Sequence, residues 1–283
     1  MQNKKLDTLS DSELINIFDH SLIDVDLAYK NMSNEIINVV NKCVDLIKKG
    51  GRIFYVGAGS SGRIGMVDAL DILPTFREDN WFKYSMAGGD QAILKSLEGY
   101  EDDFDLGMVD TQNNNINEND LIIGLSSSGN TKYVNGFFVY AKQKNAKTAL
   151  LTNQTDGICF ENTDIILYGN TGSEIIDGST RLKAGTLQKI VLNTISSMTA
   201  IKLGKVYNNY MIDLTPINEK LVKRSIQILS EITNLNYNDA LNLYNEGNQN
   251  IKLSAVMYLK KVDKITAQKL LKKYNYNLRE LIE

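Results

Sequence analysis

The sequence predicts an α/β fold: a five-stranded parallel sheet flanked by helices, with a helical arm before it and a small all-helical region after it. Two observations carry this expectation. Five short apolar runs, at about 52–57, 82–87, 121–126, 147–152 and 164–168, are separated by segments long enough for helices. Continuous apolar strands alternating with helices are the pattern of a parallel sheet covered on both faces. From about residue 217 the chain becomes rich in Asn, Lys and Leu, with helical spacing and no strand run.

The arm comes first. Ile36, Ile37, Val40, Cys43, Val44 and Ile47 fall at helical spacing within a helix read over 12–48, and Gly50-Gly51 supplies its stop. Among the strands, segments 61–73, 90–98 and 131–145 read as helices, with a short turn near 156–162. The Asn-rich stretch "DTQNNNINEND" at 110–120 reads as a loop. Residues 181–203 form one long helical pattern ending at Gly204. Three or four short helices are expected in the tail, one of them packing through Leu253, Val256 and Met257. The expected division is 1–48 for the arm, 49–216 for the sheet domain and 217–283 for the helical appendage.

Bulk properties narrow the function. A chain of 283 residues with 43% apolar and 23% charged residues has the balance of an ordinary globular protein. Its net charge of −3 offers no basic face for nucleic acid. Cys43 and Cys159 lie far apart without ligand spacing, which points to buried thiols in a reducing compartment. No stretch of about 18 apolar residues is present to span a bilayer, and the start lacks a signal-peptide pattern. A cytoplasmic protein is expected. The single histidine, His20, excludes a His-centred triad or a His-rich metal site. Proton transfer, if the chain is an enzyme, falls to carboxylates, lysines or tyrosines.

Open parallel sheets bind ligands beyond the carboxyl ends of their strands. Two such ends have the same chemistry: Gly57-Ala58-Gly59-Ser60-Ser61-Gly62 and Gly124-Leu125-Ser126-Ser127-Ser128-Gly129-Asn130-Thr131. Glycines permit the tight turn, hydroxyls donate to phosphate oxygens, and the following helix offers N–H groups and its positive dipole end. The first loop is also a G-x-G-x-x-G, yet a dinucleotide site needs an acidic residue at the end of the next strand. Glu78 and Asp79 precede that strand, and Asp90 is displaced by Gly88-Gly89. A single phosphate monoester clasped by hydroxyls accounts for both loops; the bland alternative is that they only turn the chain.

A third segment, Gly178-Ser179-Thr180-Arg181-Leu182-Lys183, opens the long helix. Ser179 or Thr180 is placed to cap it. Cations in a first turn oppose the helix dipole, so Lys183 is read either as facing a ligand or as a surface or subunit contact.

The segments "GRIFYVGAGSSGRIG", "DILPTF", "AGGDQAI", "EGYEDD", "GLSSSGNTKYV", "GSTRLKAGTLQKIVLN" and "GKVYNNYMIDLTPINEKL" together resemble the N-acetylmuramic acid 6-phosphate etherase family. The tail segment "NIKLSAVMYLKKVDKITAQKLL" is similar to that family's ubiquitin-associated-like end. The resemblance implies a sugar-isomerase (SIS) domain with a helical tail. It also implies a metal-free homodimer without cofactor, its active site near the subunit boundary. The implied reaction cleaves the lactyl ether of a sugar 6-phosphate by elimination and hydration. A non-catalytic sugar-phosphate sensor and an aminosugar-phosphate isomerase of the same fold are the alternatives.

Carried over by position, the resemblance puts the acid/base at C2 on Glu101, with Glu98 three residues earlier; spacing alone reads this acidic cluster as a solvated helix end. The family's Asp-Ala-Ser-Glu motif, followed by Pro-Thr, becomes Asp68-Ala69-Leu70-Asp71 ahead of Pro74-Thr75, so the general acid falls on Asp71, one methylene shorter than glutamate. Phosphate binding is assigned to Ser60, Ser61, Ser126, Ser128 and Thr131, with the N–H groups of Gly62, Gly129 and Asn130; Ser127 is left to turn inward. Glu174, Ser179 and Lys183 are further contributors to the site.

Overall fold

The structure, a computed structural model, describes residues 5–214, 216 and 218–283. The chain forms two compact units, one running to Leu70 and resuming over Asn80–Ser196, the other made of Asp71–Asp79 and Ser197–Glu283.

The first unit opens with α1 (Asp11–Asn31) and α2 (Ser33–Lys48). The single helix expected over 12–48 is therefore two. The break falls at Met32 (φ −103°, ψ 16°), whose side chain is buried, and Ser33 Oγ donates to the Lys30 carbonyl at 2.7 Å. A hydroxyl takes up a carbonyl that the kink releases. Neither glycine nor proline marks the spot.

Five strands follow: β1 (Ile53–Gly57), β2 (Phe82–Met86), β3 (Leu121–Leu125), β4 (Lys147–Thr152) and β5 (Ile165–Tyr168). They pair in parallel in the order β2-β1-β3-β4-β5. β1 and β3 are buried at every position, as their unbroken apolar runs require. On one face, Phe54, Val56, Ile122 and Leu150 pack against Tyr133, Val134, Phe137 and Phe138. A bidentate ion pair ties the starts of β1 and β3. Arg52 donates from Nη2 to Asp120 Oδ2 at 2.7 Å and from Nε to Oδ1 at 3.1 Å.

The helices of this unit are α3 (Gly59–Phe76), α4 (Gly89–Leu94), α5 (Phe104–Asn113), α6 (Lys132–Gln143) and α7 (Lys183–Lys202); α3 and α7 both continue into the second unit. The helix expected at 90–98 stops at Leu94, where Lys95 turns extended. α5 was not expected, and it takes the first four residues of the stretch read as a loop.

Beyond the ends of α3 and α7, the described residues of the second unit form a short antiparallel hairpin, β6 (Val206–Tyr207) and β7 (Tyr210–Met211), and the helices α8 (Glu219–Thr233), α9 (Tyr237–Glu246), α10 (Ile251–Lys260), α11 (Lys264–Lys273) and α12 (Leu278–Ile282). Leu253 and Val256 are buried and Met257 packs against the same core, as the spacing predicts. Among the described residues, no helix is long and apolar enough to cross a membrane.

Candidate functional site

Gly57 ends β1 beside Leu125, the end of β3, so the two glycine–serine loops leave neighbouring strands at one edge of the sheet. These two strands flank the point where strand order reverses, the crevice in which open α/β sheets bind ligands. The first loop turns by close backbone approach. A Cβ on Gly57 would stand 2.9 Å from Gly62 N, and one on Gly62 would stand 2.7 Å from Met86 Cγ. Gly59 then opens α3 at φ +52°, in the left-handed region.

Side chains hold the second loop. Ser126 Oγ and Thr131 Oγ1 share a hydrogen bond of 2.7 Å, and Thr131 N–H donates to Ser126 Oγ at 3.4 Å. Asn130 Nδ2 donates to the Ser128 carbonyl at 3.0 Å, and its Oδ1 accepts from Ile158 N–H at 3.2 Å.

The loops line a cleft of about 350 Å³. Ser60, Ser61, Ser126, Ser128, Asn130 and Thr131 line it, and so does Glu101. Ser127, Asp102 and Thr180 complete the polar part of the wall. The three loop amides expected to meet a ligand are engaged within the chain. Gly62 N–H donates to the Ala58 carbonyl and Gly129 N–H to the Ser126 carbonyl, both at 3.1 Å, while Asn130 N–H donates to Ser128 Oγ at 3.2 Å.

Glu101 lies in a short 3₁₀ turn, Tyr100–Asp102, entered through Gly99 at φ +86°. Immediately after it, the Asp103 carboxylate accepts Leu106 N–H at 2.9 Å and caps α5. α5 and α6 touch through backbone. A Cβ on Gly107 would fall 2.1 Å from the Tyr133 carbonyl oxygen, and one on Gly136 would fall 2.0 Å from that of Phe104. Tyr133 OH donates to Asp110 Oδ2 at 2.7 Å across the same seam. Since α6 starts at the second loop, the seam fixes Glu101 relative to that loop. A smaller hollow of about 140 Å³ adjoins, lined by Ser60, Glu98, Glu101 and Arg63. The Arg63 guanidinium donates to the Ala92 and Lys95 carbonyls at 2.6 and 2.9 Å, finishing α4.

Other expected site residues lie elsewhere. Asp71 is exposed on α3, about three turns past Ser61, and is not among the residues lining the cleft. Lys183 is buried, and its Nζ donates to Asp24 Oδ2 at 2.9 Å and to the Thr171 carbonyl at 2.5 Å. The Glu174 carboxylate accepts the N–H groups of Lys183 and Ala184 at 2.9 and 3.0 Å, so it neutralises the start of α7. Ser179 sits in the turn before that helix, its N–H donating to the Ile176 carbonyl. Asp68, on the buried face of α3, accepts from Tyr55 OH at 3.0 Å and Asn193 Nδ2 at 2.6 Å; burial raises its pKa above the ordinary carboxylate value. Asp102 and Thr180 are the wall residues sequence reasoning passed over as ligands; Thr180 arrives through the fold of the loop before α7.

Comparison with known proteins defines the relationship. The chain is 38% identical to N-acetylmuramic acid 6-phosphate etherase of Staphylococcus epidermidis over 283 residues, covering 100% of this chain and 96% of that protein. It is 40% identical to the etherase of Petrotoga mobilis over 273 residues, 96% of this chain and 92% of the other. The chain belongs to the N-acetylmuramic acid 6-phosphate etherase family. Residues 35–142 also match the family model of the glucokinase regulatory protein N-terminal SIS domain, and residues 100–198 that of the SIS domain. Among solved structures, a phosphoheptose isomerase from Francisella tularensis superposes with a TM-score of 0.54 at 17% identity, covering 68% of this chain and 100% of that one. At that identity the likeness is one of fold, and it agrees with a SIS-type sheet. Relationship to the etherases extends through both units, tail included.

Proposed function

We propose that this chain cleaves the D-lactyl ether of N-acetylmuramic acid 6-phosphate, releasing D-lactate and N-acetylglucosamine 6-phosphate. The observation that carries the reading is the hydroxyl-lined cleft at the tips of β1 and β3 with Glu101 on its wall, in a chain that matches etherases over its full length. Hydroxyls of Ser60, Ser61, Ser126, Ser128 and Thr131 hold the phosphate. That grip directs binding energy into orientation at the far end of the opened sugar.

The aldehyde at C1 acidifies the C2 hydrogen, and the Glu101 carboxylate removes it as a proton. The C2 electron pair then forms the C2–C3 double bond as the C3–O bond breaks. The departing lactate oxygen takes up a proton; Asp71, the acid that the resemblance names, does not line this cleft. Water adds to C3 and a proton returns to C2, so substrate plus water balances product plus lactate; this makes the enzyme a carbon–oxygen lyase. We further propose a homodimer with its sites near the subunit boundary. Exposed Ile15, Phe18, Leu22, Ile23 and Leu27 on α1 form the apolar face such a dimer would cover. The cytoplasm is the compartment this reading assigns.

One observation favours a second reading, a sugar-phosphate sensor without turnover: Asp71 is a methylene shorter than the family's glutamate, and ångström-scale misplacement costs about a hundredfold in rate. Incubation with N-acetylmuramic acid 6-phosphate and assay of D-lactate separates the two. Glu101→Gln is expected to lower lactate release by about a thousandfold while the product still binds; full activity would remove Glu101 from the chemistry. Ser126→Ala is expected to weaken binding of the phosphorylated sugar about tenfold and leave the unphosphorylated sugar unaffected. Equal weakening of both would contradict a phosphate contact.

A further inference from the structure

Gln188, on α7, is 1% exposed, and its Nε2 donates to Ser127 Oγ at 3.2 Å. Its Oε1 is buried without a hydrogen-bond partner. A buried amide that leaves its oxygen unsatisfied carries a cost, and the other end of that amide reaches the wall of the cleft.

The consequence follows from counting protons. An amide nitrogen only donates, so Ser127 Oγ accepts from Gln188 and its own hydroxyl proton is left for another acceptor. Ser127 lines the cleft. Its backbone is fixed from behind, since its carbonyl accepts Asn153 N–H at 3.1 Å and Thr152 Oγ1 at 3.4 Å. Ser128 Oγ likewise accepts an N–H, from Asn130 at 3.2 Å. Ser126 and Thr131 spend one proton on each other.

We propose that Gln188 is a positioning residue for ligand binding: by donating to Ser127 Oγ it occupies one lone pair and orients the Ser127 hydroxyl so that its proton is presented to an anion in the cleft. Ser127 thereby joins the phosphate grip. This rests on the cleft being the phosphate site of the proposed function.

The test is a double-mutant cycle read by calorimetric binding of N-acetylglucosamine 6-phosphate and N-acetylglucosamine to the full chain. Gln188→Met, of similar volume, is expected to weaken the phosphorylated sugar about fivefold and leave the unphosphorylated one unchanged. Gln188→Glu, which accepts the Ser127 proton and adds a negative charge, is expected to weaken it at least fiftyfold. On a Ser127→Ala background the Gln188→Met effect is expected to vanish. In turnover, Gln188→Met should raise KM and spare kcat. An undiminished Gln188→Met effect on the Ser127→Ala background would overturn the inference, as would equal loss for both sugars or no loss at all. A wild-type chain that does not favour the phosphorylated sugar would instead sink the phosphate reading beneath it. Should Gln188→Met fail to fold, Ser127→Ala and Gln188→Glu still report: equal binding of the phosphorylated sugar by wild type and Ser127→Ala overturns the proposal.

Discussion

The sheet unit and the helical unit solve the same problem, where elements start and stop, with different chemistry. In the sheet unit much of the answer is contact. Gly57, Gly62, Gly107, Gly124 and Gly136 sit where any Cβ would collide with a neighbour, and an ion pair of half-buried Arg52 with buried Asp120 joins the starts of β1 and β3. In the helical unit the answer is local and repeated. Asn218, Asn236, Asn250, Asp263 and Asn277 each accept a backbone N–H in the first turn of α8 to α12. Asn208, Asn234, Asn248 and Asn275 take the left-handed turns between or near those elements. The contrast is one of emphasis, since the helical unit also has an ion pair of buried Lys252 with Asp213 and a Gly247 that abuts Ser254: element ends depend more on close contact in one unit and more on local caps in the other.

Three measurements would break or sharpen that contrast. Asp120 is fully buried and accepts from the Arg52 guanidinium, Arg52 N–H and Asn117 N–H. Asp120→Ala is expected to cost about 3 kcal/mol, read as faster hydrogen exchange of the β1 and β3 amides; a cost near zero would empty the sheet side of its argument. Asn250→Ala removes one cap and is expected to cost about 1 kcal/mol, seen as a small fall in the unfolding midpoint of the helical unit. If the two costs came out equal, the contrast would fail.

The smallest effect is a slope. Burial raises the Asp68 pKa, so the folded chain binds that proton more tightly than the unfolded chain. Its stabilising share is full below the unfolded carboxylate pKa, about 3.9, and is lost as pH rises through the raised value. Against Asp68→Asn, the wild type should therefore lose relative stability as pH climbs from about 4 toward neutrality. A pH-independent difference would mean that the buried carboxylate keeps its ordinary affinity for the proton.

Legibility in the sequence follows the same line. The central strands β1, β3 and β4 are readable because burial on both faces demands unbroken apolar runs, the half-covered edge strands β2 and β5 by their short apolar runs, and the two loops because glycine and serine repeat at two strand ends. Glu101, named from the family's second acidic segment, lines the cleft. α5 was not readable: its contact face is built around Gly107, which has no side chain to register in a periodic pattern, and its end lies in an Asn run. The kink at Met32 uses a serine hydroxyl in place of a helix breaker, and strands of two residues are too short to alternate. Thr180 and Asp102 reach the cleft through tertiary approach alone. In the tail the Asn abundance looked like composition, yet several of those residues are caps.

The seam between α5 and α6 has one more consequence. Where Gly107 and Gly136 meet backbone there is no side chain to give way, so the start of α5 and the start of α6, and with them the Glu101 turn and the second serine loop, are held at a fixed spacing. Under the proposed chemistry, the span between that turn and the loop is a gauge of substrate length, anchored by two touching backbones. A sugar whose reactive hydrogen lay one carbon nearer to or farther from its phosphate would miss the end of that gauge.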